Sequence, residues 1–449
     1  MKRPLLFKFL TIGFLVLMLM IPISMINGVI RERKSSQQGV VEEIARSSSY
    51  SQKLVGPVLV VPYSKKIKEW KVDADTKVRY QVELTINGQL YFLPSIFEVD
   101  GKLKTERLKR GIYEARLYHA DNTISGHFDV PANYGVVSDL ANYEFDSPYV
   151  AMGIKDVRGI DSLNIQINNV KITMEPGTKL KILGEGVHAT LQHPAQLDKT
   201  ILHFQLELAL RGTESFSVVP IGRESNVKVS ADWPHPSFMG DYLPTKRQVD
   251  NTGFTATWQT SYFSSNLEEN FNLCVSASDC EAFQNRFLGV SLIDPVDQYV
   301  KSDRAIKYAL LFISLTFAGF FLFEVLKRLA IHPVQYSLVG LSLAFFYLLL
   351  ASLSEHIAFS AAYLISASAC IFLIGFYVTY ILHSILRGGI FSGLLASLYA
   401  LLYGLLSAED YALLMGSFLL FGLLGVFMVL TRKLDWYLIG KAEIPEAEV

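Results

Sequence analysis

The chain is 449 residues long and 51% hydrophobic, with 18% Asp, Glu, Lys and Arg, against roughly 25% charged residues in a typical soluble domain. Lys and Arg number 41 and Asp and Glu 42, a net charge of −1, which gives no reason to expect nucleic acid or another polyanion as a partner. The charges are unevenly spread: 66 fall between Arg31 and Lys307 and seven between Tyr308 and Leu430, so part of the chain is built to meet water and part to avoid it.

A helix that crosses a membrane needs about 20 mostly apolar residues, because the bilayer core offers no water to its backbone. The first such run, Phe9–Val29, is free of charge, with Lys2, Arg3 and Lys8 before it and Arg31, Arg33 and Lys34 after it. It is longer than the roughly 7–15 apolar residues of a cleavable signal, no A-x-A pattern closes it, and no Cys near its end accepts a lipid. Residues 1–30 therefore read as an uncleaved anchor, and residues 31–49 as a juxtamembrane linker with helical periodicity at Val41–Ser47.

From 50 to 302 the apolar pattern alternates. Val78–Ile86 alternates at period two, then meets Asn87-Gly88 and the run Gln89–Leu93, which predicts a hairpin with a type I′ turn. Further strands are predicted at Ile112–Tyr118, Leu163–Ile167, Val170–Met174, His203–Ala209, Asn226–Ala231 and Phe254–Tyr262, with turns at Asp100-Gly101 and Asp121-Asn122. A short helix is expected at Leu267–Asn270. The segment reads as a mainly β, sandwich-like domain, without a repeat of fixed period.

Candidate chemistry in this domain is sparse. His188, His193 and His203 are spaced by five and ten residues, unlike H-E-x-x-H or a zinc finger, and read as separate histidines. Asp232–Asp241, rich in Pro and aromatics, reads as a rigid turn whose Trp233 and Phe238 pack on the sheet, with a binding surface as the alternative. Cys274 and Cys280 predict a disulfide in an oxidising compartment, against two free thiols. No short hydrolase or nucleotide motif is present, and neither an enzyme nor a cofactor is expected.

Five further apolar runs, Tyr308–Phe323, Val334–Leu353, Ala358–Leu382, Ile390–Leu406 and Ala412–Leu430, fill residues 303–432 and predict a transmembrane bundle, six transmembrane helices in all. Lys327 with Arg328, Arg387, and Arg432 with Lys433 lie in alternate loops, whereas Glu355 with His356 and Glu409 with Asp410 occupy the others. Lys and Arg mark the cytoplasmic side. Both termini, including the tail 433–449 with Trp436 and Tyr437 at the membrane interface, are thus expected inside, and residues 31–302 outside. Glu324 and Arg328, four apart, are expected to pair. No carboxylate is expected mid-membrane, which removes the best support for a transporter or channel. Cys370 is expected to pack within a span. Gly389, Gly393 and Ser397 form a row of small residues expected to pack inside the five-helix bundle, with oligomerisation as the alternative.

Longer stretches resemble a known family. Asp303-Arg-Ala-Ile-Lys-Tyr-Ala-Leu-Leu through Phe323-Glu324, the run from His332-Pro-Val-Gln-Tyr-Ser-Leu-Val-Gly to Leu350, and Leu353-Ser-Glu-His356 look like the CreD-like cell-envelope integrity family of bacterial inner-membrane proteins. Gln52-Lys-Leu-Val-Gly-Pro57, Gly111-Ile-Tyr113, Ser217-Val-Val-Pro220 and Trp233-Pro-His-Pro-Ser-Phe238 are similar to it too. The likeness runs along nearly the whole chain, but Cys274 and Cys280 lie where no family pattern is recognised. It implies the inner membrane of a Gram-negative bacterium, an association with envelope integrity and envelope stress, and no catalytic residues. The expectation is a non-enzymatic multi-pass protein, in contact with the lipid bilayer, whose periplasmic domain binds or senses an envelope component, whether glycan, lipid or protein. The alternatives are a transporter or channel using the five-helix block, and a periplasmic hydrolase using His188 and His193.

Overall fold

The structure, a computed structural model, describes residues 4–72, 78–192, 198–277, 280–292, 298–326, 331–407 and 412–432. The chain divides into two compact units: a helical unit of Met1–Gln38 with Val296–Val449, and a β unit of Gly39–Pro295. Helix α1 (Pro4–Ser47) contributes to both. The linker expected at 31–49 is thus helical through Ser47, because Arg31–Ser47 contains no proline and Gly39 is its single weak helix former.

In chain order the β unit contains β1 (Gln52–Val72), β2 (Arg79–Phe92), β3 (Ile96–Arg110), β4 (Tyr113–Val130), β5 (Tyr143–Phe145), β6 (Tyr149–Ile154), β7 (Ile160–Ile167), β8 (Val170–Ile172) and β9 (Glu175–Pro176). There follow β10 (Gly186–Thr190), β11 (Thr200–Thr213), β12 (Ser215–Val219), β13 (Glu224–Ala231), β14 (Ser237–Gly240), β15 (Lys246–Asp250), β16 (Gly253–Ser261), helices α2 (Tyr262–Ser265), α3 (Leu267–Ala277) and α4 (Glu281–Gln284), and β17 (Leu288–Ser291). One sheet runs β14-β17-β12-β1-β6-β10-β9, with β2 and β5 also on β1; the other runs β15-β16-β13-β3-β4-β11-β7-β8. Leu54, Leu59 and Val61 of β1 enter the core between the sheets with Phe97, Tyr118, Phe128, Phe216 and Trp258. Val55, Val58 and Val60 point the other way and are covered by Leu267, Phe271 and Phe283 of the helical segment. Burial on both faces explains why Leu54–Val61 reads as an almost unbroken apolar run rather than an alternation.

Three predicted turns lie inside long strands. Asn87-Gly88 sits mid-way along β2, with Asn87 opposite Ser64 and Gly88 opposite Tyr63 of β1. The glycine is there because the Tyr63 ring occupies the space a Cβ would need. Asp100-Gly101 and Asp121-Asn122 face each other across the β3–β4 ladder, Gly101 opposite Asn122. Asn122 is buried and its amide donates to the Ala120 and Leu208 carbonyls, and a Cβ on Gly101 would lie 3.0 Å from its Oδ1. The β3–β4 turn is Gly111-Ile112, closed by Arg110 opposite Tyr113, with Gly111 at φ +64°, the position where a two-residue hairpin loop needs positive φ.

The helical unit adds α5 (Gln298–Lys307), α6 (Ala309–Leu326), α7 (Pro333–Ser354), α8 (Phe359–Ile381), α9 (Ile385–Ser407) and α10 (Ala412–Thr431) to the first part of α1. Leu15, Leu19, Ile23, Ile26 and Ile30 form one buried stripe of α1, at the three- and four-residue spacing of a helix face. Leu19 lies with Phe317 against Gly340, where α7 leaves no room for a Cβ. Among the described residues, four helices are long and apolar enough to cross a membrane (Phe7–Ser47, α7, α8 and α9), and α5 with α6, bent by 47°, supplies a fifth. α10 carries a shorter apolar stretch, Leu414–Val426.

Candidate functional site

A cleft of about 500 Å³ opens at one end of the sandwich in the β unit. Its floor is apolar, from Leu59, Val130, Ile167, Ile172, Leu191 and Leu202; Asn168, Lys171, Thr190, Gln192 and Asp198 supply polar groups. The size and the few polar groups are those of a small-molecule site. One wall is Tyr134, in the loop after β4, where Asn133 and Tyr134 both adopt positive φ, 52° and 53°. Left-handed backbone at two successive non-glycine residues is strained, and such strain gathers at functional sites. Tyr134 is only 8% exposed, packs its ring 5.0 Å from Phe145 and 6.3 Å from Phe92, and its hydroxyl has no hydrogen-bond partner among the described residues. Burial holds its phenol above the ordinary tyrosine range, so near neutral pH the hydroxyl is protonated and able to donate. The lining comes from five separated parts of the chain, which left no local motif to find.

The residues singled out in the sequence are distributed elsewhere. His188 is buried on β10, its Nδ1 donating to the Gly177 carbonyl at 2.6 Å and its Nε2 3.3 Å from Glu175. His203 lies on β11 directly opposite His127, ring centroids 5.5 Å apart; His193 lies outside the described residues. Among the described residues no three His, Cys, Asp or Glu side chains gather as a metal site. Trp233 is buried, donates to the His235 carbonyl and carries the Arg116 guanidinium 3.3 Å above its ring, while Phe238 packs edge-on against Phe254 and Trp258. The segment thus serves packing. Cys274 and Cys280 form a disulfide between the end of α3 and the start of α4. Cys370 is a buried free thiol that accepts from the Tyr399 hydroxyl and donates to the Ser342 carbonyl.

In the helical unit, Glu324 is almost fully buried. It accepts from the Lys8 ammonium of α1, the Tyr336 hydroxyl at 2.8 Å and the Ile331 N–H at 3.0 Å. Its expected partner Arg328 lies outside the described residues, as do Lys327, Glu409, Asp410, Lys433, Trp436 and Tyr437. Far along α1, Arg33 lies 3.3 Å from Glu355, which follows α7. Lys8 and Arg33 are 25 residues apart, about 37 Å along a helix, between the about 30 Å of a hydrocarbon core and the 40–45 Å that includes headgroups. The two ion pairs therefore bracket a stretch of membrane length. Gly389, Gly393 and Ser397, expected to pack inside the bundle, are exposed, and a Cβ on either glycine would meet nothing within 4 Å. The close approach of α8 and α9 falls one residue earlier, at Gly388 against Thr379 and at Gly375 against Ser392.

The profile of the family described as "Inner membrane protein CreD" matches residues 4–437. The chain belongs to the CreD family. It is 38% identical over 440 residues to "Inner membrane protein CreD" of Escherichia coli (strain K12), covering 97% of this chain and 95% of that protein. With this family membership, the apolar helices are those of a membrane-embedded protein. Among solved structures, an M1 zinc metallopeptidase from Deinococcus radiodurans aligns at 10% identity over 37% of this chain, which spans 38% of that one, with a TM-score of 0.19. A mutant of the same peptidase bound to a Tyr-ser-ala substrate aligns at 11% identity over 37% of this chain and 39% of its own, again at 0.19. At that score the likeness carries no argument about fold or chemistry.

Proposed function

We propose that this CreD-family protein is a non-enzymatic, six-span inner-membrane protein, with both termini in the cytoplasm and residues 31–302 in the periplasm, that supports envelope integrity under stress by binding an envelope component in its β unit. The alternate basic and acidic loops support the orientation. The observation that carries the binding role is the apolar cleft itself, walled by Tyr134, whose strained backbone holds a buried hydroxyl without a partner among the described residues.

A buried hydroxyl left unsatisfied costs about 1–3 kcal/mol, and removing it with its shape preserved is neutral or stabilising. Tyr134→Phe is therefore expected to leave the thermal stability of the full chain unchanged or higher, yet to weaken rescue of a deletion strain challenged with envelope-active compounds. Leu202→Glu, which places a charge on the cleft floor, is expected to abolish rescue at a normal membrane level. Full rescue by both variants would remove the cleft from the function.

A further inference from the structure

The apolar surface of the cleft does not stop at its mouth. β1 and β2 remain paired for ten rungs past the cleft, from Tyr63 opposite Gly88 to Val72 opposite Arg79. Side chains alternate between faces along a strand. Because Leu59 and Val61 point into the inter-sheet core, Tyr63, Lys65, Ile67, Glu69 and Lys71 continue the same face. Opposite them on β2 stands an apolar row, Tyr80, Val82, Leu84 and Ile86. The reverse face carries Lys66, Lys68, Gln81, Glu83 and Thr85, with Trp70 and Val72 as its apolar residues toward the far end. Tyr80 and Ile86 are 48% and 49% exposed, so the inward-facing side of this ribbon is left open.

Aromatic rings join that side to the cleft. Tyr134 packs 5.0 Å from Phe145, which stacks 6.0 Å from Tyr143; Tyr143 lies 5.2 Å from Tyr63 and 4.7 Å beneath the Lys65 ammonium. The junction thus holds a cation, Lys65, with an apolar compartment on either side. The row from Ile86 to Tyr80 is about 20 Å long at ~3.4 Å per residue, enough for one lipid chain, which spans half of a hydrocarbon core of about 30 Å. Along the described ribbon Lys65, Lys66, Lys68, Lys71 and Arg79 outnumber Glu69 and Glu83. A partner strand added at the free edge of β2 would leave the apolar face uncovered, whereas an acyl chain would cover it.

We infer that the cleft and the inward-facing side of the β1–β2 ribbon form one groove for a two-chain anionic lipid. One chain lies in the cleft and the other along Tyr80–Ile86, with Lys65 at the junction facing the headgroup. This rests on the binding role proposed above and names its ligand class.

The test uses the full chain in its own membrane, in cells grown with radiolabelled phosphate. A photo-reactive phenylalanine analogue is placed in turn at Leu84 on the apolar row, at Leu202 in the cleft, and at Thr85 on the reverse face of β2. Irradiation is expected to attach labelled lipid at Leu84 and Leu202 severalfold more than at Thr85, and Lys65→Glu to lower both captures. Equal lipid capture at Leu84 and Thr85, or a protein or glycan adduct at Leu84, overturns the lipid groove. A protein or glycan adduct at Leu202 overturns the lipid while leaving the cleft as a binding site. No adduct at Leu202 from a protein that reaches the membrane overturns both.

Discussion

Removing the Glu324 carboxylate is expected to loosen the first part of α1 from the helical unit. In Glu324→Ala the Tyr336 hydroxyl and the Ile331 N–H lose their acceptor inside an apolar cluster, and Lys8 loses its counter-ion. Each stranded buried group costs about 1–3 kcal/mol. The Lys8 side chain is 31% exposed, so its ammonium turns toward water or headgroups and its share is discounted. The total is about 3–5 kcal/mol, as for a buried pair broken from one side. Lys8→Met combined with Glu324→Gln removes both charges and keeps one carbonyl acceptor, and is expected to recover much of that loss. Phe9 of α1 and Phe321 of α6 lie 4.8 Å apart between ring centroids, so cysteines at these positions report docking through a short thiol crosslinker. The background is low because Cys274 and Cys280 are paired and Cys370 is buried. Glu324→Ala should crosslink weakly and unfold at lower temperature in nanodiscs, with the double variant close to the parent. Undiminished crosslinking and stability in Glu324→Ala would refute the assignment of Glu324 as the anchor of α1.

Three further outcomes follow from the geometry. Asn87→Val should be neutral or stabilise the full chain by up to about 1 kcal/mol, because a β-branched residue suits an exposed mid-strand position; a clear loss in a denaturation series would restore the I′ turn. Asp156, on the loop after β6, accepts from Arg158 and from the Tyr50 N–H, and the Arg158 guanidinium holds its carboxyl below the ordinary range. A depressed folded-state pKa gives stability that is present above the unfolded carboxylate range and lost as pH falls below about 4. Asp156→Asn should therefore flatten the acid limb of a stability–pH curve, and an unchanged limb would contradict the pairing. Gly389→Leu with Gly393→Leu should leave thermal stability unchanged or higher, since the added side chains meet open space and glycine inside a helix costs up to about 1 kcal/mol per site; unfolding at markedly lower temperature would put that face back in the bundle.

Local rules were informative where local physics decides the structure. The apolar runs around α7, α8 and α9 needed only length and hydropathy, and the buried Trp233 needed only its Pro-rich surroundings. Asn87-Gly88, Asp100-Gly101 and Asp121-Asn122 misled because turn propensity describes an isolated chain. In the fold these residues answer to a cross-strand neighbour: a ring over Gly88, and an amide packed against Gly101. Glu324 carries no local sign of Lys8 for the same reason, since that cation lies 316 positions away. The cleft had no signature at all. Its floor joins Leu59, Val130, Ile167, Leu191 and Leu202 from five strands or strand ends, each an ordinary apolar residue until the sheets meet.

β1 gives these features a common physical basis within the β unit. It begins at Gln52, whose side-chain amide donates to the Asp156 and Arg211 carbonyls, while Ser49 donates to Arg211 and Arg158 donates to the Arg46 carbonyl at the end of α1. A Cβ on Gly159 would strike this network, so the polar groups pack closely against that glycine. β1 then runs through the core, contributes Leu59 to the cleft, and leaves the sandwich as half of the ribbon. The end of α1, the cleft floor and the ribbon are therefore joined by one strand, paired with β12, β6, β5 and β2 on either side of a bulge at Gly56-Pro57. Only Ser48–Ser51 separate it from α1, and all four residues are held by hydrogen bonds to the loop after β6, to β11 or to Ile44 of α1. From Leu59 to the end of α1 the break in the ladder is thus the Gly56-Pro57 bulge, so a ligand in the cleft is felt at the end of α1 only to the extent that this bulge moves with the strand.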